Sequence, residues 1–308
     1  MTFRNILVDI DALAPFHPAL NQAVDLARRA GARLTIGDVV EEIPDKLRSY
    51  LSERLEGELV EHRRERLEDA VKPHATDDVP IETRVLRGRP AVAIIQQVLR
   101  GGHDLLVRYH ARDLIRKQKG FGAVDMQLLR KCPCPVWLVG TGEDERPKRI
   151  LAAIDPDRDN PAEQRLNQRI AAAAFELARL EEASLTLMTS WFPYGTTLLE
   201  DRMTADEMKQ VVAAARKHAK AELDAFVASL DESDQPYEVA LVKGNPQGAI
   251  PRYCRRKDID LVVMGTVARA GLVGMIMGNT AERVLEQLKC SVLALKPEGF
   301  KSPITLEG

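Results

Sequence analysis

Four glycines, Gly265, Gly271, Gly274 and Gly278, lie between the apolar run Leu261-Val262-Val263 and a helical pattern that opens near Asn279. Glycine lets a backbone approach a ligand closely and adopt positive φ. The chemistry this spacing offers is therefore a phosphate cradle built from backbone N–H groups. Met264, Gly265 and Thr266 close the apolar run, Ala268 stands inside the loop, and Gly278, Asn279 and Thr280 open the helix, where the helix dipole favours an anion. The competing reading is structural: Gly265 ends a strand, Gly271 and Gly274 relax a loop, and Asn279 caps a helix. A glycine-rich loop alone does not separate the two.

Other site chemistries find no support. The chain has no G-x-x-x-x-G-K-[ST] loop, no G-x-S-x-G elbow, no H-E-x-x-H pair and no G-x-G-x-x-G after a first strand. Cys132-Pro-Cys134 lacks the further Cys or His at short spacing that a tetrahedral metal site needs, so no metal is assigned to it. His17, His62, His74, His103 and His218 fall on presumed loops or charged helices and read as solvated, and His110 reads as a polar rim residue. No catalytic residue is assigned.

Composition sets the wider limits. The 308 residues carry 44 Lys plus Arg against 46 Asp plus Glu, and a net charge of −2 gives no electrostatic case for nucleic acid or an acidic membrane surface. No segment reaches the roughly 20 apolar residues that span a bilayer, and the N-terminus lacks an apolar signal core. The four cysteines are too few and too scattered for a disulfide scaffold, so the expectation is a cytoplasmic protein with reduced thiols.

An internal repeat organises the rest. Residues 81–140 align without a gap on 237–296, matching Gly88 with Gly244, Pro90 with Pro246, Asp104 with Asp260, Gly122 with Gly278 and Cys134 with Cys290. Upstream, "NILVDID" matches "RILAAID" and "DLARRAGARLTI" matches "ELARLEEASLTL". Each copy alternates short apolar strands with helical patterns, which implies parallel sheets covered by helices. The expected architecture is two tandem doubly wound α/β domains with strand order 3-2-1-4-5. The boundaries read as 1–140, a polar linker at 141–148, 149–297 and a C-terminal tail at 298–308. The two closing strands, "PVWLVG" and "SVLALK", are expected to pair within one chain as a pseudo-dimer, an arrangement that leaves a homodimer open.

In such a sheet, ligands bind where strand order reverses, beyond the carboxyl ends of strands one and four. That places Asp155, at the end of strand one, opposite Gly265. Together these residues resemble the universal stress protein family, in its tandem-domain form. Its nucleotide-binding members carry Gly-x2-Gly-x9-Gly-Ser/Thr after strand four and an Asp ending strand one. Gly265, Gly278 and Asp155 match; Ala268 replaces the second glycine, and Asn279 stands where Ser or Thr belongs, with Thr280 one place later.

The resemblance implies ATP or AMP with magnesium in the second domain. The phosphates would rest near Gly265 and Gly278 to Thr280, with Asp155 near the ribose or the metal. In the first domain Tyr109 and His110 replace Gly265 and Thr266, and Ala123 and Val124 open the helix, so a ring fills the phosphate space and no cofactor is expected there. The implied function is a non-enzymatic stress-response protein that senses an adenine nucleotide and changes binding to an unidentified protein partner. Two alternatives stand beside it: a binder of an apolar or lipid-like molecule, suggested by "GLVGMIM", and a weak nucleotide hydrolase.

Overall fold

The computed structural model describes residues 2–42, 46, 53–76, 78–110, 121–140, 146–157, 159–193, 203–231, 234–266 and 277–306. The chain folds as two compact units, Met1–Arg146 with Cys290–Gly308, and Pro147–Lys289.

Unit 1 runs β1 (Asn5–Asp9), α1 (Pro18–Ala30), β2 (Arg33–Val40), α2 (Glu53–Val71), β3 (Ile81–Arg87), α3 (Pro90–Gly101), β4 (Leu105–Tyr109), α4 (Ala123–Lys131) and β5 (Val136–Val139). Its strands follow the order β3-β2-β1-β4-β5, and their pairings are parallel. The tenth strand of the chain, β10 (Ser291–Leu295), adds to β5 in antiparallel register, with Val292 opposite Leu138 and Leu293 opposite Trp137. The closing strands of the two repeats thus pair as expected. The consequence for organisation is that the last strand of the second repeat belongs to the first compact unit.

Unit 2 runs β6 (Arg149–Ala153), α5 (Pro161–Glu181), β7 (Ser184–Trp191), α6 (Ala205–Ala228), β8 (Tyr237–Lys243), α7 (Pro246–Lys257), β9 (Leu261–Gly265) and α8 (Asn279–Leu285), with parallel strand order β8-β7-β6-β9. Of the expected linker, 141–145 lie outside the described residues, whereas Lys148 already belongs to unit 2. Its N–H donates to Asp260 at 2.9 Å and its carbonyl accepts from Ser184 at 2.9 Å. In the expected tail, the Thr305 carbonyl accepts from Gln96 on α3 at 3.0 Å.

The residues that betrayed the repeat do matching work in the two units. Asp104 accepts the backbone N–H groups of Arg4 and Asn5 at 2.8 and 3.1 Å, while Asp260 accepts those of Lys148 and Arg149 at 2.9 and 2.8 Å. Each carboxylate fastens the start of its first strand to the start of its fourth. Gly88 and Gly244 turn at φ +120° and +136°, where side chains are strained, and donate back to Val40 and Trp191. Pro90 and Pro246 then begin α3 and α7, where a missing N–H costs nothing.

The cores are apolar and the edges are not. Every residue of β1 and β10 is buried, and so are Leu261–Met264 of β9. The outer strands β3 and β8 expose Glu82, Arg84 and Arg87, and Glu238 and Lys243, charges that discourage pairing with other chains. Two histidines depart from the solvated reading. His103 is buried, its Nε2 lying 3.3 Å from Gln97, and burial pushes its proton affinity down. His110 is 4% exposed, so it is a core residue and not a rim residue.

Candidate functional site

In unit 2 the carboxyl ends of β6, β7 and β9 open into a cleft of about 530 Å³. Asp155, Met264, Gly265, Gly278, Asn279 and Thr280 all line it. Thr266 is fully buried, and its carbonyl accepts the Gly278 N–H at 3.1 Å, bridging the two ends of the loop. Ala268 lies outside the described residues, as do Gly271 and Gly274.

The strand ends are shorter than the sequence suggested. β6 stops at Ala153, and Asp155 sits two residues beyond, exposed at the cleft mouth. Asn167 of α5 holds it there from both sides, with Oδ1 accepting the Asp155 N–H at 3.1 Å and Nδ2 donating to the Asp155 carbonyl at 2.6 Å. α5 is itself fixed at its start by Asn160, whose side chain accepts from Ala162 and Glu163. The enclosing cleft walls raise the Asp155 carboxyl above its ordinary value, and the nearby Asp157 charge adds to the rise.

Gly265 answers to packing as well as to any ligand. A Cβ there would stand 2.8 Å from Leu166 Cδ2, so a larger residue at this point would require the end of the Leu166 side chain to shift. Gly278 is the N-cap of α8 at φ −68° and ψ 138°, and it uses no side-chain cap. Asn279 is therefore the first helical residue and not the cap. Since any residue adopts the Gly278 backbone angles, conformation does not call for glycine there. With the Gly278 N–H given to Thr266, the backbone donors left for a ligand are those that begin α8.

Four residues the sequence reading passed over complete the site: Asn167 behind Asp155, and Glu163, Thr189 and Ser190 on the wall. The only signal for Asn167 is an amide within the apolar periodicity of α5, which must find partners once buried. Among the described residues the cleft-lining side chains include the carboxylates Asp155 and Glu163 and no Lys or Arg. Such a donor set suits ribose hydroxyls and metal-neutralised phosphates better than bare anions.

Unit 1 carries a cleft at the corresponding strand ends, about 800 Å³ in volume. Tyr109 packs edge-on against Phe16, with centroids 6.1 Å apart, and both rings line the cleft. The floor is charged. Arg108 bonds Asp9 and also Asp125 at 2.9 Å, and Asp125 takes His110 Nδ1 at 2.6 Å. Burial raises the Asp125 carboxyl, but the His110 bond and the Arg108 charge outweigh it and hold the group below its ordinary value.

Two tandem parallel-sheet units, each with a crevice beyond strands one and four, define a duplicated doubly wound α/β protein. The sequence pattern of the Universal stress protein family matches residues 2–140 and 147–296, so the chain belongs to the universal stress protein family, a stress-response family. It is 30% identical over 314 residues to universal stress protein E of Escherichia coli (strain K12), covering 99% of this chain and 98% of that one. It is 27% identical to a universal stress protein E homolog from Haemophilus influenzae, over 96% of this chain and 98% of the relative. A functionally unknown protein from Pseudomonas aeruginosa PAO1 shares the fold at TM-score 0.70 and 25% identity, over 96% and 93% of the two chains. A universal stress protein from Archaeoglobus fulgidus shares it at TM-score 0.63 and 16% identity, over 96% and 98%. No described helix is long and apolar enough to cross a membrane.

Proposed function

We propose that the unit 2 cleft binds one adenine nucleotide per chain and that the protein works as a non-enzymatic sensor, its partner binding changing with nucleotide occupancy. The observation that carries this reading is the convergence of Asp155, Gly265, Gly278, Asn279 and Thr280 on one cleft from three separate stretches of chain. Apolar side chains such as Ile154, Ile170 and Ile250 line the same cleft and suit the faces of a base. Thr280 and Asn279 offer polar groups at the start of α8, and the freedom of the Gly278 backbone angles favours space as the reason for glycine there.

Asp155 and Glu163 would accept ribose hydroxyls or hold a magnesium ion, which supplies the charge that neutralises the phosphates. With no Lys or Arg among the described lining residues, that ion would be the source of positive charge at the site. The test is mass spectrometry of small molecules released from the purified chain, alongside an assay of phosphate release from ATP. Sensing predicts recovery of an adenine nucleotide with no enzyme-dependent phosphate. Recovery of an apolar molecule, or phosphate release above the buffer rate, contradicts it.

A further inference from the structure

We propose that the cleft of unit 1 binds a small organic cation with an aromatic body, an arylalkylamine being the class that fits. The lining holds four carboxylates, Asp9, Asp11, Asp38 and Glu41, against two guanidinium groups, Arg63 and Arg108. Both guanidinium groups are already committed. Arg63 bonds Asp11 at 2.8 Å and Asp38 at 2.9 Å, while Arg108 bonds Asp9 and Asp125. Among the described residues an anionic ligand would therefore find no unengaged guanidinium in the lining and would face an excess of carboxylate charge, whereas a cation is drawn in. Burial holds the proton affinity of His17, also in the lining, below its ordinary value, so at neutral pH it adds little positive charge.

The walls supply the second half of the specificity. Phe16 and Tyr109 meet edge-on, and Phe16 is 58% exposed, so the aromatic corner opens towards the cleft. Leu13 and Leu59 extend the apolar rim and are 48% and 45% exposed. An ammonium group over an aromatic face gains from the ring quadrupole, and an apolar body covers side chains that otherwise face water. Glu41 is exposed and forms no ion pair among the described residues, so it is the carboxylate free to meet the incoming charge. The second unit has Gly265 where this one has Tyr109, so the preference belongs to the first cleft alone.

The experiment is calorimetric titration of the intact chain with phenethylamine, with phenethyl alcohol as its neutral counterpart and hydrocinnamate as its charge-reversed counterpart. The proposal expects one saturable amine site, at least about tenfold weaker alcohol binding and no carboxylate binding. Glu41→Lys and Phe16→Ala, both at exposed positions, should each weaken the amine by about tenfold or more while leaving the melting temperature unchanged. Failure of phenethylamine to saturate by about 10 mM overturns the proposal. So does hydrocinnamate binding as tightly as the amine, or an unchanged affinity in Glu41→Lys.

Discussion

Arg108 on β4 stands in register beside Asp9 on β1 and bonds its carboxylate, and the same two places in the second repeat hold Met264 and Ala153, also in register. One pair of substitutions at the strand ends gives the first cleft a charged floor and the second an apolar one. A buried carboxylate and a guanidinium are tolerable only together, since each alone keeps its desolvation cost.

Arg108→Met should therefore cost about 3–5 kcal/mol, because Asp9 is left buried and without its cation. Adding Asp9→Ala reproduces the pair found in unit 2 and should recover most of that loss. Urea unfolding of the single and double variants measures both effects. A double variant no more stable than the single one would refute the coupling.

Asn167→Ala removes the two bonds that hold the Asp155 backbone. The expected cost is about 1–3 kcal/mol in unfolding free energy, with nucleotide affinity falling further than stability because Asp155 is released from its position. If Asn167→Ala keeps full nucleotide affinity, the clamp has no part in the site.

Lys296 is 3% exposed, and its amine donates to the Leu129 carbonyl. Burial pulls its pKa from 10.5 down to about 8, with Cys132 acting weakly the other way. The unfolded chain then holds this proton up to about 10.5 while the folded chain releases it near 8, so stability should rise with pH between those values and stay flat below them. The gap amounts to about 3 kcal/mol, and losing the Leu129 bond returns about 1 kcal/mol of it. Lys296→Met should thus gain about 2 kcal/mol at pH 7 and abolish the alkaline rise. A variant that keeps the rise would show that another group causes it.

Much of the fold was legible because the repeat places its identities where geometry leaves little choice. Gly88 and Gly244 need positive φ, Pro90 and Pro246 begin helices, and Asp104 and Asp260 fasten strand starts. Of the glycine pattern, Gly265 and Gly278 line one cleft in unit 2. Side-chain partners were not legible. Arg108 interrupts the apolar run "LLVRY", which signals a buried charge in need of a partner, but nothing local names Asp9, 99 positions away, or Asp125. His110 was misread for the same reason, its partner Asp125 lying across a loop. The placement of β10 in unit 1 depends on strand pairing between repeats, which hydrophobic pattern alone does not order.

Because the described lining of the unit 2 cleft offers carboxylates and no Lys or Arg, ATP binding should require magnesium. Chelation with EDTA should weaken ATP at least about tenfold and leave adenosine unaffected. Equal ATP affinity with and without the metal would remove Asp155 and Glu163 from that role.

The account rests most directly on equilibrium titration of magnesium-ATP into three equally folded proteins: the native chain, Gly278→Val, and Ala268→Gly combined with Asn279→Ser. Valine adopts the φ of −68° and ψ of 138° at position 278 without strain, so its effect reports space in the cleft and not folding. The account predicts one ATP per chain for the native protein, no binding in Gly278→Val, and binding about tenfold tighter, or about 1.4 kcal/mol, in the double variant. Unchanged affinity in Gly278→Val, two equivalent sites per chain, or no ATP binding by the double variant at millimolar concentration would contradict it.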